Sequence, residues 1–183
     1  MRRLALILFV IISLVVAAFL AADRLWLWLD NRSDFGQSAD VEVQTILPEG
    51  WQVVEVEEDD RLVFQAHKLT EESAVAPAVT VLRAVKPPAV SAEEYTAELV
   101  EAAETGLDQL DFEENTFSTV EDLSIRRLRG QYQQGEQIVG LKQQMYIKGD
   151  EVYTFTGIFP LDSLASVEVE LIFDQVLADV IGW

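Results

Sequence analysis

The chain has 183 residues, half of them apolar, and a formal net charge of −19. That length fits one domain of ordinary size plus an extra segment, with enough apolar residues for a real core. There is no cysteine, which excludes a disulfide framework, a thiolate zinc site, a thiol nucleophile and a lipidated Cys, and so acidic a surface repels nucleic acid and bare anionic headgroups while favouring solubility, cations or basic partners.

Residues 1–3 hold Arg2 and Arg3, the only charges among the first 22 residues, so the remainder carries about −21. Residues 4–22 form an uncharged run with 13 Leu, Ile, Val or Phe. As a helix this run reaches ~28 Å, about the thickness of the hydrocarbon core. Its side chains favour insertion by roughly 4 to 8 kcal/mol. The expectation is an uncleaved transmembrane anchor with residues 1–3 as a cytoplasmic tip and the domain outside. The alternative is a cleaved signal peptide and a secreted product. Residues 23–40 follow as an interfacial segment and linker: Trp26 and Trp28 suit the aromatic belt of a membrane surface, and NRSDFGQSAD is short and polar.

Residues 41–183 make the folded domain. Residues 41–47 open it with strand-like sequence. Residues 51–56 alternate as a first strand, and an acidic loop, Glu57-Glu58-Asp59-Asp60, follows; with Glu55 it makes the densest acidic run of the chain. Residues 61–69 and 78–85 read as second and third strands, stopped by Lys86-Pro87-Pro88. Ser91 and Glu94 have capping-box spacing. The helix they open runs to about Leu110, with Tyr95, Leu99, Ala102 or Ala103, and Leu107 or Leu110 on one stripe. Residues 112–120 and 123–132 are two more strands, and Gln133-Gln134-Gly135-Glu136 turns into a central hairpin.

That hairpin organises the chain. Val, Ile, Tyr, Phe and Thr crowd both sides of Lys148-Gly149-Asp150. A two-residue turn at Gly149-Asp150 sets Ile147 opposite Val152, Tyr146 opposite Tyr153 and Met145 opposite Thr154. Val139, Leu141, Met145, Ile147, Val152 and Ile158 then share one face, and Tyr146, Tyr153, Phe155 and Phe159 the other. Both faces are apolar, so both need cover. A last helix, capped by Asp162 or Ser163, supplies some of it through Val169, Ile172, Phe173, Val176, Leu177 and Val180. The order is anchor, three strands, helix, four strands, helix. The fold class is α+β, a mostly antiparallel sheet covered by helices.

LPEGW at 47–51, VTVL at 79–82, Glu94-Tyr95, Gly140-Leu141-Lys142 leading to Tyr146, VYTFTG at 152–157 and FDQVL at 173–177 together resemble the PsbP-like superfamily, which includes the DcrB-like proteins. The resemblance runs from about Ile46 to Ile181. It implies a PsbP-like α/β/α sandwich and a non-enzymatic role, binding another protein or helping a membrane complex assemble. It carries over no metal-binding or partner-binding residue.

Few residues offer chemistry. His67 is the only histidine, no Gly-x-Ser-x-Gly elbow accompanies it, and its place in a strand beside Lys68 predicts an edge or solvent-facing residue. The acidic run at 55–60 lacks the spacing of a calcium loop and reads as solvated. Trp51 and Trp183 read as core packing or a cap over the sheet. Arg126, Arg127 and Arg129, in LSIRRLRG, are the one basic cluster of the acidic domain. On a strand, Arg127 and Arg129 point to one side and Arg126 to the other, with Leu128 and Tyr132. They are the candidate partner-binding residues, since Arg forms bidentate pairs with carboxylates. Pairing with the protein's own acids is the plainer alternative. No nucleophile, metal-ligand set or phosphate loop appears, so no catalytic residue and no cofactor is expected. The expected function is a membrane-anchored extracytoplasmic binding or assembly module for another envelope protein, without nucleic acid. A carrier or sensor of a small ligand or divalent cation is the alternative.

Overall fold

The computed structural model describes residues 45–54, 61–69, 75–161 and 165–181. The anchor, the interfacial segment and linker, the acidic run at 55–60, the cap at Asp162 or Ser163, and Trp183 lie outside the described residues. Among those described, no helix is long and apolar enough to cross a membrane.

Seven strands and two helices follow in the order β1 (Trp51–Val53), β2 (Leu62–Lys68), β3 (Ala78–Val85), α1 (Ala92–Gly106), β4 (Asp111–Val120), β5 (Leu123–Gln134), β6 (Gln137–Lys148), β7 (Glu151–Pro160) and α2 (Ala165–Ile181). The strands form one sheet in the order β1-β2-β3-β7-β6-β5-β4, and every pairing is antiparallel. β4 to β7 are a meander of hairpins. β3 pairs with the last strand of that meander, so the chain leaving β3 must pass β7, β6 and β5 to begin β4. That traverse is α1. The chain leaving β7 returns as α2, on the other face.

The central hairpin has the register read from sequence: Ile147 faces Val152, Tyr146 faces Tyr153 and Met145 faces Thr154. Its two faces divide as expected. Toward α1, Met145, Ile147 and Val152 pack with Val100 and Leu128, and Val139 and Leu141 pack with Tyr132 and Val75. Toward α2, Tyr146, Phe155 and Phe159 pack with Val169, Ile172, Phe173 and Val176. Phe155 and Phe173 are fully buried, their ring centroids 5.7 Å apart. Each such side chain contributes ~1.5 to 3 kcal/mol by leaving water. Gly157 lets α2 approach this closely, because a Cβ there would stand 2.6 Å from Val169 Cγ1.

The three tight turns of the meander each open on a residue with positive φ. Gly135 and Gly149 open their turns at φ 62°, and Glu121 opens the β4–β5 turn at φ 56°. Positive φ in the first turn position suits glycine, and Glu121 takes it without that freedom.

Ser91 caps α1 as expected. Glu94 N–H donates to Ser91 Oγ at 3.2 Å and Ser91 N–H to Glu94 Oε2 at 3.0 Å. The helix ends at Gly106, short of Leu110. Leu107 is extended and Gln109 has φ 52°, so the chain turns at once toward β4. Leu107 and Leu110 still reach the core near Tyr132, from an irregular segment in place of a helical stripe. β1 is likewise shorter than its alternating sequence, and residues 45–48 form no strand.

Candidate functional site

β5 carries the basic cluster one strand in from the β4 edge. The cross-strand partners of Arg126 are Phe117 and Met145, those of Arg127 are Thr116 and Gln144, and those of Arg129 are Glu114 and Lys142. Strand alternation puts Arg127 and Arg129 on the α2 face and Arg126 on the α1 face, so the three do not converge on one point.

Their surroundings differ. Arg129 pairs with Glu170 of α2 at 3.7 Å. Glu170 also binds Lys142 Nζ, and Asp174, one turn on, lies 3.8 Å from the same ammonium. Lys142 Nζ sits 4.4 Å from the centroid of Phe173, a cation held between a ring face and two carboxylates. Neither Arg126 nor Arg127 has a carboxylate within salt-bridge distance among the described residues. Arg126 Nε is buried there without a hydrogen-bond partner. Arg127 acts on the Tyr146 phenol, whose pKa is raised by burial, while Arg127 opposes that rise and Asp174 adds to it.

A second polar group joins β1, β2 and α2. Glu168 accepts hydrogen bonds from the Trp51 indole Nε1 at 3.0 Å and from Lys68 Nζ at 2.7 Å. Burial works against the Glu168 charge, and the hydrogen bonds from Lys68 and Trp51 outweigh it, leaving the pKa lowered. Trp51 is a core residue, 6% exposed, as its sequence context predicts. The pairing with Glu168 escaped the reading of the apolar stripe, although Glu168 precedes Val169 and lies four residues before Ile172 on the same helical face.

His67 departs from expectation. β1 pairs along the outer side of β2 and sets Gln52 opposite His67, so His67 lies one strand inside the edge. It is half-buried, and burial lowers its pKa. Among the described residues no cluster of His, Asp or Glu is arranged to hold a metal ion.

β4 completes the region. It is the long edge of the sheet, 10 residues against three for β1. Its outer side faces no strand among the described residues. Asp111, Glu113 and Glu114 stand at its start, with an irregular register between Phe112 and Glu114. Residues 115–120, NTFSTV, carry no charge, and Glu121 and Asp122 follow in the turn.

This is the PsbP-like α+β fold. The structure of cyanobacterial PsbP (CyanoP) from Synechocystis aligns with TM-score 0.52 at 16% identity, over 79% of this chain and 88% of that one. A Pseudomonas aeruginosa protein of unknown function aligns with TM-score 0.49 at 14% identity, over 64% of this chain and 88% of its own. LpqN of Mycobacterium tuberculosis, involved in cell envelope biogenesis, aligns with TM-score 0.49 at 12% identity, over 71% and 79%. No family model matches the sequence, and no curated protein does.

Proposed function

We propose that the chain is a membrane-anchored, extracytoplasmic, non-catalytic module, DcrB-like in kind, that binds another envelope protein or helps it assemble. The anchor and its orientation rest on residues 1–22, two arginines followed by 19 uncharged residues. The binding role is supported chiefly by Arg127. In a domain with a large excess of acid, this half-exposed guanidinium has no carboxylate partner among the described residues, whereas Arg129 nearby does. A fixed fork of donors left open beside a sheet edge suits a carboxylate from outside.

The test is crosslinking in native membranes followed by affinity purification, comparing wild type with Arg127→Glu. Arg129→Glu is a poor probe, because it would set a new carboxylate against Glu170 and Glu114. A specific partner captured by wild type and lost by Arg127→Glu, with the melting temperature unchanged, supports the module. Equal capture by both removes Arg127 from the interface, and no enriched partner from either removes the reading.

A further inference from the structure

The β4 edge raises a narrower question about the same region: what chemistry its backbone is poised to accept. An edge strand exposes a row of backbone N–H and C=O groups that can template another strand. β1 is short. β4 is long, and its flanks carry the usual guards, charges and an irregular register. Those guards stop at Glu114. Residues 115–120 have no charge, no Pro and no Gly, they include Thr116, Phe117, Thr119 and Val120, and Val120 is 60% exposed. Six residues of strand extend ~20 Å, enough for a full docking line.

Charge selects the occupant. Glu113 and Glu114 lie at one end of this line, Glu121 and Asp122 at the other. A second copy of the chain is disfavoured. A two-fold antiparallel pairing centred between Phe117 and Ser118 would set Glu114 against Glu121 and Glu113 against Asp122 of the second copy. Like charges directly opposite on paired strands are destabilising. A segment with Lys or Arg at both ends meets the opposite situation. Its middle meets a third feature. Thr116 is the cross-strand partner of Arg127, exposed, small and on the same face. A residue paired outside Thr116 has its Cα about 10 Å from that of Arg127, two strand spacings, within the combined reach of an Arg and a carboxylate side chain.

We propose that residues 115–120 of β4 accept an extended segment of a partner protein as an added strand, with Lys or Arg at each end of the segment and an Asp or Glu opposite Thr116. Backbone pairing supplies the attachment, as in other strand additions, and the three charged positions set its register. The inference rests on the binding-module reading and adds the form and chemistry of the bound segment.

The experiment uses the full chain in detergent and a ten-residue synthetic peptide, Lys-Lys-Thr-Val-Thr-Val-Glu-Val-Lys-Lys, which in antiparallel register sets its Glu opposite Thr116 and its Lys pairs opposite Glu121 and Asp122 and opposite Glu113 and Glu114. Hydrogen exchange and peptide fluorescence anisotropy are followed together. Binding is expected to protect the amides of residues 115–120. Replacing the terminal Lys by Glu, or N-methylating alternate peptide amides, is expected to weaken binding roughly tenfold or more. Arg127→Glu in the protein is expected to weaken binding of this peptide while leaving unchanged that of a peptide with Gln in place of its Glu. Binding that tolerates N-methylation or reversed terminal charge overturns the proposal. So does protection of residues 115–120 that appears without peptide and grows with protein concentration, which would assign the edge to a second copy. If the membrane partner is captured through Arg127 but no peptide protects β4, strand addition fails and the module stands. If neither is seen, both fail.

Discussion

Trp51 and Glu168 meet across 117 positions of sequence, the indole Nε1 donating to Glu168 Oε2 at 3.0 Å. Trp51 opens the sheet at its short edge and Glu168 lies in the first turn of α2, so this contact and the Lys68 ion pair tie the first strands to the last helix. The side chains of Lys68 and Glu168 are each about a quarter exposed. Such a pair is screened less than an open surface bridge and costs less desolvation than a dry one.

Glu168→Gln is therefore expected to cost about 1 to 2 kcal/mol at neutral pH, the scale of hydrogen bonds to a charged group, read from the urea midpoint. The Glu168 pKa is lowered in the fold. Its contribution is complete above the ordinary carboxylate range and disappears as pH falls through and below that range. The stability difference between wild type and Glu168→Gln should thus close toward pH 3. A difference that stays constant from pH 7 to pH 3 would show that packing, not the charge, is what the substitution removes.

Gly157→Ala tests the approach of α2. The new Cβ would stand 2.6 Å from Val169 Cγ1, and Val169 is fully buried. A loss of about 1 to 3 kcal/mol is expected. Combining it with Val169→Ala should cost less than the sum of the two single changes, because the second removes the atom struck by the first. Strict additivity in urea unfolding would refute the contact.

Glu121→Gly should stabilise the domain by up to ~1 kcal/mol, since glycine holds φ 56° without the Cβ penalty that a larger residue meets there, less its own entropy cost. Gly135→Ala, with nothing within 4 Å of the added Cβ, should lose a similar amount through the backbone alone. Thermal melts of the two variants should move in opposite directions.

Burial raises the pKa of Tyr132 far above its ordinary value. The folded protein then keeps this proton while the unfolded chain releases it above about pH 10. Stability from this residue is whole below that pH and falls as pH climbs through it. Tyr132→Phe loses a long hydrogen bond to Gln134, 3.3 Å, and should be slightly less stable than wild type at pH 7 but decline less steeply above pH 10. Tyr95 and Tyr146 are also raised by burial, so some alkaline loss remains. Identical slopes in the two proteins would contradict the assignment.

The parts of the fold that sequence made legible are those where one residue pattern serves one local geometry. The Gly149 turn fixes a hairpin register, the Ser91 and Glu94 pair fixes a helix start, and the stripe from Val169 to Val180 fixes the buried face of α2. The less legible parts depend on distant neighbours. His67 reads as an edge residue until β1, only three residues long, is seen to pair beside it. Leu107 and Leu110 keep helical spacing, yet the chain has already left the helix at Gly106, because β4 must begin nearby. The arginine cluster could be split between two faces by alternation alone. That Glu170 occupies Arg129 while Arg127 has no such partner on α2 depends on which turn of α2 comes within side-chain reach of β5, and spacing within one strand carries no record of that.

The strand order also sets a timetable. β1, β2 and β3 are synthesised first, yet β3 has its inner neighbour in β7, so that Ala78 meets Ile158 and Val85 meets Glu151. β4 to β7 need only adjacent hairpins to form, which close fast, whereas the β3–β7 pairing must wait for a contact far along the chain. While the chain emerges, the three early strands can pair only with one another, and their apolar side chains lack β7 and the α2 helix that cover them. Trp51, Phe64, Ala66, Val79 and Val81, all buried at the end, wait the longest for that cover during biogenesis. The final strand of the meander thus acts as the template that admits the first half of the domain, and a chain interrupted before residue 151 holds three strands that nothing can complete.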